Sequence, residues 1–144
     1  MIPASRTRST IDRVQFQATC FACGSDNPRG LQLKFRVDPD GTATASFVPG
    51  SEWEGSRGIV HGGIVTTLLD EAMAKAVAAI GCKAMTAELR VRFRQYAETG
   101  ERLQVRGWVV RQKTRLIETE ALLVATDGSE RAHAWAKFLA VVKP

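Results

Sequence analysis

The chain has 144 residues, of which 44% are hydrophobic and 24% charged, and its formal net charge is +5. That is one domain's worth of sequence with apolar material for one substantial core, and it excludes a disordered chain, a collagen-like chain and a disulfide scaffold. No uncharged apolar run approaches the ~20 residues of a membrane-spanning helix. No apolar stretch follows the first arginines, as a secretory signal requires, and three cysteines point to a reducing cytoplasm.

Residues 1–19 are polar at first and then are expected to form a short helix or an extended arm, with the domain proper expected over 20–144. Residues 20–30, CFACGSDNPRG, are dense in turn formers. Leu31, Leu33, Phe35 and Val37 alternate with polar residues, which predicts a half-buried strand over 31–37. The turn DPDG joins it to a second strand over 42–48, completing a hairpin. The connection over 49–60 carries three glycines and is long, as functional or mobile loops are. From His61 the period changes. Val65, Leu68, Leu69, Ala72, Met73, Ala76, Val77 and Ile80 form one apolar stripe on a helix of about five turns, ended by Gly81. Its many alanines let a sheet approach closely.

Four strands are expected after the helix, around Leu89–Val91–Phe93, over 101–111, over 114–125 and over 131–142. The short connections YAETGE, QK and TDGS suit antiparallel neighbours. A helix with one broad stripe needs a sheet to lie on, so the expected architecture is α+β, a six-stranded antiparallel sheet wrapped around one long helix. The scattered lysines and arginines favour an anionic ligand only weakly.

The chemistry concentrates in HGGIVTTLLDEAMAKA. Gly62 and Gly63 leave N–H groups unobstructed at a helix N-terminus, where the positive dipole end favours an anion or a developing oxyanion. Asp70 lies mid-helix on the edge of the stripe. An acid there finds a polar partner, faces a cleft, or has its pKa raised. A carboxylate beside an oxyanion site is the minimum equipment for hydrolysing an acyl compound. Gly62 and Asp70 are eight residues, or about 12 Å, apart along the axis. One reacting carbonyl needs both within about 3 Å, so the two groups are expected from two different chains.

HGGIVTTLLDEAMAKA, CFACGSDNPRGLQLKF and TAELRVRFRQYAETGE together resemble the hotdog-fold thioesterases, in the branch typified by the phenylacetate-pathway (PaaI-type) acyl-CoA thioesterases. The resemblance covers roughly residues 20–142. It implies a hotdog fold, acyl-CoA substrates, no cofactor and no metal, no nucleic-acid or membrane partner, and a homodimer, alone or joined with a second into a tetramer. By position it makes Gly62 the amide that polarises the thioester carbonyl. Asp70 becomes the general base or nucleophile, His61 a positioning group in the site, and Thr86 a hydroxyl that orients water or substrate. Gly63, Glu71, Met73 and Trp53 are further substrate-binding candidates, with Phe47 beside them. Glu71 points about 100° away from Asp70. Two positions depart from the pattern. Gly55 stands where an amide side chain is common, leaving Glu52 or Glu54 as substitutes, and Tyr96 stands where proline is common.

Other readings remain beside these. Arg90, Arg92 and Arg94 are either a solvated row or, with Arg111, Lys113 or Arg115, a grip on coenzyme A phosphates. Cys20-x-x-Cys23 suggests zinc, but Cys82, His61 and His133 do not stand at finger spacing. Two thiols packed in a turn-rich loop are expected instead. His133 shares a strand face with Trp135 and Lys137 and is expected to be exposed. The alternatives to a thioesterase are a non-catalytic acyl-CoA binder on the same fold and a small nucleic-acid module built on Cys20, Cys23 and the arginines.

Overall fold

The computed structural model describes residues 18–141; the expected N-terminal arm falls almost wholly outside them. In chain order the elements are β1 (Arg36–Val37), β2 (Ala43–Phe47), a 3-10 turn (Ser51–Trp53), α1 (Gly62–Ala79), β3 (Ala84–Phe93), β4 (Leu103–Lys113), β5 (Leu116–Ala125) and β6 (Glu130–Ala140). The six strands make one sheet in the order β1-β2-β4-β5-β6-β3, every pair antiparallel. Among the described residues no helix is long and apolar enough to cross a membrane.

α1 has 18 residues, the expected five turns, and buries seven of the eight expected stripe residues, Val65, Leu68, Leu69, Ala72, Met73, Ala76 and Val77; the eighth, Ile80, follows the last helical residue and is exposed. Gly81 ends it in the left-handed region at φ +81. The stripe lies on Leu103, Val105, Ile117, Ala121, Leu123, Ala132, Ala134 and Phe138 of the sheet. The approach is tight at Gly107 of β4, where an added Cβ would stand 2.5 Å from the Ala72 backbone. Alanine on the helix and glycine on the sheet together let the two backbones meet.

Two expectations change. The strand over 31–37 shrinks to Arg36–Val37. Gln32 sits at φ 51, and the Leu31 and Leu33 amides donate to Phe21 and Ala22 carbonyls (2.9 Å each) instead of joining the sheet. Leu31 and Leu33 are still buried, so the alternation marks core contact without a ladder. The short connections after the helix also do not join neighbours throughout, because β5 and β6 lie between β3 and β4. Three interstrand spacings are about 14 Å, which residues 94–102 span easily.

β3 is thereby an edge strand ten residues long. Its pairing with β6 slips at Ala87. Leu89, Val91 and Phe93 oppose the buried alanines Ala136, Ala134 and Ala132, while Thr86 opposes buried Phe138. Strict alternation would turn Thr86 outward; the bulge turns it toward the helix.

Candidate active site

Two groups of residues are assembled on α1, one at its N-terminus and one two turns further on. At the start, His61 Nδ1 accepts the Gly63 N–H at 2.8 Å, capping the first turn. That hydrogen bond places the proton of the neutral ring on Nε2. The Gly62 N–H has no acceptor among the described residues. His61 is itself held by its own N–H, which donates to the Trp53 carbonyl (2.8 Å), and Val60 donates to Ala97 (2.8 Å). The connection over 49–60 is thus an ordered brace, tied by bridges Glu54↔Val60 and Ile59↔Glu98.

Gly62, His61, Val65, Phe93 and Tyr96 line a cavity of about 710 Å³. Phe93 and Tyr96 are more than half exposed, an apolar wall open to solvent on a single chain. A Cβ at Gly62 would lie 3.6 Å from the Phe93 ring, in ordinary van der Waals contact with the cavity wall. Gly55 also lines the cavity, packed so that a Cβ would meet His61 Cα at 3.2 Å. Neither Glu52 nor Glu54 lines it; Glu54 accepts a hydrogen bond from Thr99 (3.4 Å). The amide that does line it is Gln95, whose Oε1 accepts from Arg131. Sequence reasoning missed Gln95, because it comes from the β3–β4 connection and not from the segment before His61.

Two turns along, Asp70 is half-buried and its Oδ1 accepts the Thr86 hydroxyl at 2.9 Å. Burial pushes the Asp70 carboxyl above the usual carboxylate range, and the Thr86 hydrogen bond offsets only part of that rise. Asp70 does not line the cavity at Gly62, so one chain keeps its carboxyl and its free amide apart, as the helix spacing requires.

The remaining candidates fall elsewhere. Met73 is wholly buried in the core and lines no open site. Trp53 and Phe47 are half-buried at the core margin, and the Trp53 ring meets Phe21 edge-on at 6.3 Å. Glu71 turns to Lys75 (3.8 Å) and to Cys20 and Cys23. Burial, then the Glu71 charge, push the Cys23 thiol up to about 12. Arg90 and Arg92 oppose Trp135 and His133 on the outer face of the sheet, away from α1. Arg90 stacks 4.5 Å above the Trp135 ring. Of that row Arg94, just past the end of β3, lines the cavity. His133 is not exposed as expected. It stacks on Trp135 at 4.1 Å and sits between Glu120 (3.0 Å) and Glu130 (3.4 Å).

The fold that carries these residues is one that known proteins share. Residues 57–132, more than half of the chain, match the model of the thioesterase superfamily, and the chain belongs to that family. The fold is the hotdog fold. A solved thioesterase superfamily protein, RHA08564, is 25% identical with a TM-score of 0.80 over 83% of this chain, which spans 62% of that protein. The Escherichia coli PaaI protein of the phenylacetic acid degradation operon is 18% identical with a TM-score of 0.78, covering 94% of this chain and 98% of its own. A hypothetical thioesterase of Streptococcus pneumoniae, solved with coenzyme A, is 16% identical with a TM-score of 0.72 over 77% of this chain and 87% of its own. That protein has also been solved with an Asp and, sixteen residues later, a Thr each replaced by Ala. Asp70 and Thr86 stand at the same separation. No curated protein matches the chain.

Proposed function

We propose that the protein hydrolyses an acyl-CoA thioester to a free acid and coenzyme A, in a site completed by two copies of the chain. The observation that carries this reading is the pair of unlike groups on one helix. Gly62, whose N–H has no acceptor among the described residues, lines a cavity walled by Phe93 and Tyr96, and a half-buried, hydroxyl-held Asp70 carboxyl lies outside that cavity. The streptococcal structure with coenzyme A supports the ligand class, and its substituted Asp and Thr support the pairing of Asp70 with Thr86.

In the mechanism, the acyl group lies in the cavity lined by Phe93 and Tyr96. The Gly62 N–H and the positive end of α1 stabilise the oxyanion as the thioester carbonyl is attacked. Asp70 of the other copy takes a proton from water as its oxygen adds to the carbonyl, and the same proton passes to the departing coenzyme A sulfur; in the nucleophilic variant Asp70 attacks the carbonyl and expels the thiolate, and water then cleaves the acyl-Asp70 anhydride, releasing the acid, restoring the carboxylate and supplying the proton for the thiol. The Thr86 hydroxyl fixes the orientation of that carboxylate. His61 caps the helix through Nδ1 and presents its Nε2–H, a positioning role that leaves the base to Asp70. Three free cysteines accord with a cytoplasmic setting.

The two copies meet along β3. A ten-residue edge strand with Met85 and Phe93 exposed is a template for pairing. Antiparallel pairing of two β3 strands lays the Thr86 end of one, with Asp70 beside it, against the Phe93 end of the other, with Gly62 beside it. The fold itself therefore offers a way to bring the separated groups together. Gly55 favours a second reading, a binding protein without turnover, since it brings no amide for positioning water. Turnover of a panel of acyl-CoA esters, followed by release of free thiol, decides between them. Hydrolysis that falls at least ~10²-fold in Asp70→Asn supports catalysis, whereas tight binding with no thiol release by the wild-type chain overturns it.

A further inference from the structure

Outside the reaction site, the turn-rich segment over residues 18–30 meets the middle of α1 at a cluster that the proposed hydrolysis does not use. The segment folds back on itself: the Gly24 N–H donates to the Cys20 carbonyl and the Asp26 N–H to the Ala18 carbonyl, each at 2.8 Å. A Cβ on Gly24 would stand 2.4 Å from the Cys20 nitrogen, so only glycine fits behind the second cysteine. This tight return brings the two thiols together, with Ala22 between them buried in the core. From the helix side Glu71 reaches the same spot. Cys20 Sγ, Cys23 Sγ and a Glu71 carboxylate oxygen all lie within 4.8 Å of one another, and all three residues are half-buried.

We propose that Cys20, Cys23 and Glu71 hold one zinc-class divalent ion that fastens the segment over 18–30 to α1. Zinc bonds of about 2.3 Å to sulfur and 2.0–2.2 Å to oxygen place tetrahedral ligand atoms roughly 3.5–3.8 Å apart. The three atoms need only small side-chain movements to adopt that spacing. Two thiolates select a soft ion over magnesium or calcium. Charge closes as well. Two thiolates and one carboxylate carry three negative charges, the ion two positive, and Lys75, 3.8 Å from Glu71, the third. Lys75 and Glu71 are each only 16% exposed, so this neutrality matters in a poorly hydrated place. Binding releases the two thiol protons to solvent and leaves the fourth position to water. The third ligand was invisible to a search for a second Cys or His pair, because it comes from the helix 48 residues beyond Cys23.

The test uses the full chain, purified anaerobically without chelator, reduced with a phosphine and titrated with Co2+, then with Zn2+. The expected result is a thiolate-to-cobalt charge-transfer band that saturates at one equivalent, tetrahedral d–d absorption in the visible, and displacement of both by Zn2+. Cys20→Ser and Cys23→Ser each weaken the charge-transfer band. Glu71→Gln keeps both thiolates yet weakens cobalt binding at least about tenfold, with circular dichroism showing an intact fold. No charge-transfer band on the reduced wild-type chain overturns the proposal. So does a Glu71→Gln chain that binds as tightly as wild type, or a Cys20–Cys23 disulfide in the anaerobically isolated protein. None of these readouts depends on thioester turnover.

Discussion

In the proposed reaction Asp70 ties function and stability to one carboxyl group. Its pKa is raised in the folded chain because burial disfavours the ionised form. As pH rises, the unfolded chain therefore loses this proton first, and folding stability falls between the ordinary value and the raised one. Above both, a constant penalty remains; below both, there is none. Asp70→Asn removes the charge and keeps an oxygen to accept the Thr86 hydroxyl. It is expected to abolish turnover and to raise the melting temperature at neutral pH, with the gain vanishing in acid below the ordinary aspartate range. Thermal scans of both proteins across pH measure that gain. Thr86 acts on the same proton. Thr86→Val removes the one hydrogen bond that lowers the Asp70 pKa, so the acid limb of the rate profile moves to higher pH. Thr86→Ser leaves the limb in place, and steady-state rates across pH separate the two.

At the scale of elements, close approach and strand slippage decide where side chains go. Gly107→Ala drives a Cβ into the Ala72 and Met73 backbones at 2.5 to 2.7 Å, contacts no rotamer change relieves. It is expected to cost about 1–3 kcal/mol, read as a lower urea midpoint. The helix was legible in the sequence because a stripe of eight apolar residues at three- and four-residue steps has one physical reading, and Gly81 marks its end. Thr86 was legible only by resemblance. Alternation from Leu89, Val91 and Phe93 assigns it to the outer face, and nothing in the residue types announces the extra residue at Ala87. The same alternation did place Arg90 and Arg92 outside with Trp135 and His133, which separates them from the cavity. Leu31 and Leu33 read as strand because burial and alternation coincide there, whereas their hydrogen bonds run to Phe21 and Ala22.

At the scale of the whole molecule, the sheet has one blunted edge and one open one. β1 has two residues and β3 has ten, so the proposed pairing of two copies uses β3. Under the proposed function a two-fold pairing there would make two sites, each with an amide from one chain and a carboxyl from the other. Complementation reads this out. Gly62→Pro removes the amide hydrogen while preserving the helix, since proline suits its first position and His61, at ψ 135, already has the extended backbone that proline demands of its predecessor. Homodimers of Gly62→Pro and of Asp70→Asn are each expected to be inactive. In a mixed dimer, the intact Gly62 of the Asp70→Asn chain meets the intact Asp70 of the Gly62→Pro chain, restoring one site of the two. Refolding the variants together at equal amounts makes about half the dimers mixed, so roughly a quarter of wild-type activity returns. A site within a single chain returns none, because each chain would keep its own defect, and the mixed refolding then leaves activity at the level of the separate variants.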